Sequence, residues 1–95
     1  MTRYILIDHH SGFVWGEAEA DSPIRACQIV DRSLGEYERD YDTGWDSRNW
    51  SGRYYVHEAS TDFPEVADGQ DEDQIRAVSR LPLRETVNYR RTLDL

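Results

Sequence analysis

The chain has no lysine, one cysteine and three prolines among 95 residues, and no apolar run longer than Tyr4-Ile5-Leu6-Ile7. Each shortage excludes something. Cys27 stands alone and makes no internal disulfide, whereas small secreted domains usually depend on several. The run at residues 4–7 is stopped at once by Asp8, so neither a signal-peptide core nor the roughly 18 apolar residues of a membrane span is expected. The expected compartment is the cytoplasm. The deficit of basic residues is the most informative shortage: eleven arginines against nineteen acids give a formal charge of −8. That sign opposes direct nucleic-acid binding, which needs a basic face to release counterions. It equally opposes an anionic membrane surface. A basic protein surface is the natural complement. The absence of lysine itself carries no functional signal.

What is present suffices for a fold. Eleven aromatics support a core, and the length suits one domain over 1–95, with 91–95 expected to fray. Barrels and complete dinucleotide-binding folds are excluded by size. Charge is unevenly placed: residues 1–73 hold seventeen acids and six arginines, residues 74–95 five arginines and two acids. The body is acidic and the end mildly basic.

Arg3 to Asp8 reads as an apolar strand, followed by a turn at His9-His10-Ser11-Gly12. From Phe13 to Ala20 the pattern alternates, placing Val14, Gly16, Ala18 and Ala20 on one side of a second strand. Asp21-Ser22-Pro23 is a helix start, and Ala26, Cys27, Val30 and Leu34 form a stripe on one helical face, with Gly35 as the stop. Small residues on both surfaces predict that this helix lies flat on the Val14, Gly16, Ala18 face. Residues 36–42 read as an edge strand and 43–52 as a long turn. Arg53–Ala59 reads as a strand with Tyr55 and His57 on one face. Residues 60–74 read as a polar, mobile loop. A second helix begins at the candidate cap Asp71, with Ile75, Val78 and Leu81 as its apolar face and Pro82 as its end. Leu83–Tyr89 is a candidate last strand. The expected fold is α+β: a single antiparallel sheet with two helices on one face, in the order β-β-α-β(β)-α.

No catalytic pattern emerges, and no enzyme activity is expected. Asp8-His9-His10 resembles the DHH phosphoesterase motif over three residues only, and that family requires further aspartate motifs earlier in a longer chain. Adjacent histidines on a turn diverge, so no metal site is expected. Asp40, Asp42 and Asp46 loosely suggest a calcium loop, but Trp45 stands where glycine is required and Ser51 where glutamate is. The serines lack a nucleophile-elbow context, Cys27 lies on the buried stripe, and no Gly-rich phosphate loop exists. No cofactor is expected.

The acidic and aromatic surface remains. In an extended segment, Glu36, Glu38, Asp40 and Asp42 would project from one face about 6.6 Å apart, close to two phosphate steps of a DNA strand. Trp45, Asp46 and Trp50 would flank this row, and Glu65 and Asp68 would widen the field, because residues 54–75 contain no arginine. In size, acidity and its ββα beginning, which runs from Tyr4-Ile5-Leu6-Ile7 to Ala18-Glu19-Ala20-Asp21-Ser22-Pro23, the chain resembles the small anti-CRISPR inhibitors of phages and mobile elements. The resemblance lies in size, charge and architecture, so no functional residue carries over. It implies a non-enzymatic inhibitor whose acidic surface mimics DNA and blocks a basic nucleic-acid-binding surface, such as that of a CRISPR effector subunit. The alternative is an accessory or regulatory protein-interaction module that docks through aromatic contacts, its charge incidental.

Overall fold

The computed structural model describes residues 1–38 and 53–88. It opens with an antiparallel hairpin of β1 (Thr2–Asp8) and β2 (Val14–Ala20). The buried carboxylate of Asp8 builds the turn between them. Its Oδ2 accepts from the backbone N–H of His10 at 2.9 Å and of Ser11 at 3.1 Å, while its own carbonyl accepts from Gly12 N–H at 3.1 Å. Gly12 closes the turn at φ +76°, a left-handed conformation suited to glycine.

The hairpin carries a β-bulge. Leu6 pairs with Gly16 but Ile7 pairs with Val14, so Trp15 is the extra residue. The bulge shifts the alternation of β2. Gly16 and Ala18 stay on one face of the sheet, and Trp15 joins them in the core with Tyr4 and Leu6. Val14 moves to the opposite face, with Ile5 and Ile7. The expectation that Val14 faces the first helix is therefore corrected.

That helix, α1 (Pro23–Glu38), starts as the sequence indicates: Ser22 Oγ accepts from Arg25 N–H at 3.1 Å, and Pro23 occupies the first turn. Ala26, Cys27 and Val30 are buried against Tyr4, Leu6 and Trp15. A methyl group built on Gly16 would sit 3.3 Å from Val30 Cγ1, so the missing side chain sets how closely α1 approaches. Ile29 is half-buried against the same core. The helix does not stop at Gly35 but runs on to Glu38. One glycine costs a helix only about 1 kcal/mol and does not by itself end it. Glu36 and Glu38 are thus helical, and positions two apart lie about 200° apart around a helix axis. The extended carboxylate row does not begin there.

Strand β3 (Arg53–Ala59) pairs with β1, and β4 (Leu83–Asn88) pairs with β3, giving the antiparallel order β2-β1-β3-β4. Between them lies α2 (Glu72–Ser79), whose N-cap Asp71 accepts from Gln74 N–H at 2.9 Å. The fold is α+β, with four strands and two helices among the described residues, in the order β1-β2-α1-β3-α2-β4. The helices, however, cover opposite faces. Tyr4, Leu6, Tyr54, Val56 and Val87 pack under α1, whereas Ile5, Ile7, Val14 and Ala59 pack with Val78 of α2, flanked by Phe63, Val66, Ile75 and Leu81. Strand alternation explains why: β1 is apolar at every position from Tyr4 to Ile7, so both of its faces need cover. No helix among the described residues is long and apolar enough to cross a membrane.

Candidate functional site

The segment from Ser60 to Asp73 runs across the α2 face of the sheet, and two side chains hold it there. Arg3, on β1, reaches into the segment with its guanidinium. One terminal nitrogen, Nη1, donates to Ser60 O at 3.1 Å and Phe63 O at 2.6 Å, and the other, Nη2, donates to Pro64 O at 3.0 Å. Its Nε donates to Glu17 on β2, and the guanidinium lies over the Phe63 ring, 5.8 Å from the centroid. The hydrogen bond with Glu17 raises the Arg3 pKa above its ordinary value against partial burial, and the fields of Glu17, Glu19 and Glu65 act in the same direction. Farther along, the Gln74 side chain makes a two-way bond with the backbone of Ala67: Ala67 N–H donates to Oε1 at 2.9 Å, and Nε2 donates to Ala67 O at 2.6 Å. Gly69 then forms a two-way backbone bridge with Val14 on the edge of β2. The expectation of a mobile loop is corrected: the segment is tied to β1, β2 and α2 in turn.

The outer surface of this segment is acidic. Glu19, Asp62, Glu65, Asp68, Asp71, Glu72 and Asp73 are all exposed. Arg3 is consumed by Glu17 and three carbonyls, and Arg76 pairs with Asp73 at 3.2 Å in an open i, i+3 contact. Such exposed pairs contribute little and are easily exchanged for another partner. Folding thus brings to Arg3 acids that the chain separates by more than forty residues, Glu19 on β2 and Glu65 in the segment, whose fields both act on its guanidinium.

Of the residues expected to bind a partner, Glu65 and Asp68 stand on this ledge. Glu36 and Glu38 belong to the last turn of α1, the helix on the other face of the sheet. Asp40, Asp42, Trp45, Asp46 and Trp50 lie outside the described residues. Sequence reasoning missed Arg3, Glu17, Glu19 and Gln74. The arginine-free stretch from 54 to 75 was the available signal for the ledge, but nothing local marks Arg3 as its clamp.

The groups most suited to chemistry are built into the fold. Asp8 is spent on the hairpin turn, and Cys27 is fully buried on the inner face of α1. His57 is 4% exposed, and its Nδ1 lies 3.0 Å from Leu81 O. Because a carbonyl only accepts, Nδ1 carries the proton and ties β3 to the end of α2. Its Nε2 is buried with no hydrogen-bond partner among the described residues. His9 and His10 are exposed on the turn, His9 packing on Tyr55 with ring centroids 4.9 Å apart. Among the described residues no group of three His, Cys, Asp or Glu is placed to hold a metal ion.

No protein-family model, curated protein or solved structure matches the chain.

Proposed function

We propose that this protein is a non-enzymatic inhibitor of the anti-CRISPR type, whose acidic surface takes the place of DNA on a basic nucleic-acid-binding protein. The observation that carries the reading is the ledge of exposed carboxylates from Glu19 and Asp62 to Asp73, with Arg3, the cation beneath it, already satisfied. Carboxylates held on an anchored backbone present a fixed negative surface, which steers a basic partner during encounter and sets its register once bound. Glu36, Glu38, Asp40, Asp42 and Asp46 extend the supply of acids, and Trp45 and Trp50 supply aromatic anchors of the kind interfaces favour.

The experiment compares the native protein with the Asp62→Arg, Glu65→Arg, Glu72→Arg variant, each immobilised and exposed to lysate from CRISPR-bearing cells. The captured protein is then purified and titrated. The variant is expected to melt at the native temperature, because all three positions are exposed, and to lose the partner. Trp45→Ala separates the mimic from an aromatic-anchored module, which would lose about 2 kcal/mol or more of binding energy through that change alone. Native affinity in the triple-arginine variant contradicts the reading.

A further inference from the structure

A groove of ≈ 280 Å³ lies within the ledge, between residues 63–66 and α2. Phe63, Pro64, Val66 and Ala77 make it almost wholly apolar, and the exposed acidic residues Glu65 and Asp73 border it. Its volume falls just below the range of drug-sized ligand sites, which starts near 300 Å³, and suits one large side chain. The apolar lining favours an aliphatic stem, while the two carboxylates call for a cationic head. Arginine satisfies both demands, since its guanidinium is weakly hydrated, stacks on aromatic rings and meets carboxylates in a planar fork. We infer that this groove receives an arginine side chain of the basic partner, with its stem along Phe63, Val66 and Ala77 and its guanidinium shared by Glu65 and Asp73. The groove is preformed: Arg3 fixes the Phe63 and Pro64 carbonyls and Gln74 fixes Ala67, so binding has little backbone left to order. Arg76, paired with Asp73 in an exposed contact, is displaced by the incoming group at small cost.

The inference rests on the reading of the ledge as a surface for a basic protein, and it has its own test. A short acetylated peptide with one arginine in an alanine and glycine context is titrated into ¹⁵N-labelled protein. The same peptide with citrulline, which keeps the shape without the charge, is the control. Saturable shifts centred on Phe63, Val66, Gln74 and Ala77, absent with citrulline, are expected. Glu65→Gln with Asp73→Asn should weaken binding about fivefold or more, and Ala77→Leu should block it by filling the groove with all charge retained. Both variants change a side chain on the surface or groove wall, and a native amide spectrum verifies their folding. Shifts spread equally over Glu19, Asp62 and Glu72, or binding untouched by Ala77→Leu, overturn the groove. Reversal of Asp62 and Glu72, which lie outside the groove, tests the ledge separately. Loss of the partner there alongside a failed groove leaves the acidic surface standing, and a working groove with no effect there condemns the ledge alone.

Discussion

Arg3 shows how much one residue decides here. It stands on a strand whose next four residues are buried, yet it spends its guanidinium on Glu17 and on three carbonyls from a segment up to 61 residues away. Hydrogen bonds to a charged group contribute about 1.5–3 kcal/mol each, net of the exchange with water. Lysine keeps the charge but not the planar fork that reaches several acceptors at once. Arg3→Lys should therefore lower stability by about 1–2 kcal/mol and Arg3→Gln by more, read as the shift of the urea midpoint at constant slope. An unchanged midpoint in Arg3→Gln would show that the segment is held by other means. Nothing near Arg3 in the chain announces this role, because its acceptors are backbone carbonyls that any sequence would supply.

The elements divide by the range of the interactions that define them. Both helix starts are legible because capping is local: Ser22 with Pro23, and Asp71 with Gln74, carry their own hydrogen-bond chemistry. The limits of β3 and the ββα opening follow equally from local alternation and turn residues. The bulge at Trp15 is not legible, since an inserted residue leaves no mark in composition, and it moves Val14 across the sheet. Nor does periodicity reveal which face α2 covers. The continuous apolar run at 4–7 held that clue, because a strand buried on both faces asks for two covering layers. Alternation assigns four of the nine expected binding residues to an edge strand over 36–42, of which Glu36 and Glu38 are helical, and composition alone reads the anchored ledge as a loose loop. The packing of α1 is open to direct test. Val30, on the inner face of α1, packs against Gly16, so Val30→Asp forces a charge into the apolar core. A loss of about 3 kcal/mol or more is expected, which lowers the melting temperature by more than about 12 °C in a domain of this size. Ile24→Asp, on the exposed side of the same helix, should leave it within a few degrees. Equal behaviour of the two variants would misplace the helix.

At the scale of the described molecule, two cores lie on either side of one sheet, and the 60–73 segment with Glu19 of β2 carries seven exposed acidic residues. Arg3 and Gln74 tie the backbone under that surface to the sheet and to α2, which lowers the ordering cost of the partner binding we propose. We propose that a basic protein accepts this surface where it would otherwise accept DNA. Competition between the two ligands decides the matter. The captured partner is bound to a fluorescent DNA duplex, and the anisotropy is followed as unlabelled protein is added at several salt concentrations. Complete, saturable displacement of the duplex is expected, weakening steeply as salt rises from about 0.05 to 0.5 M, where screening shortens from over 10 Å to a few ångströms. A ternary complex, in which the partner holds duplex and protein together at every salt concentration, would contradict it.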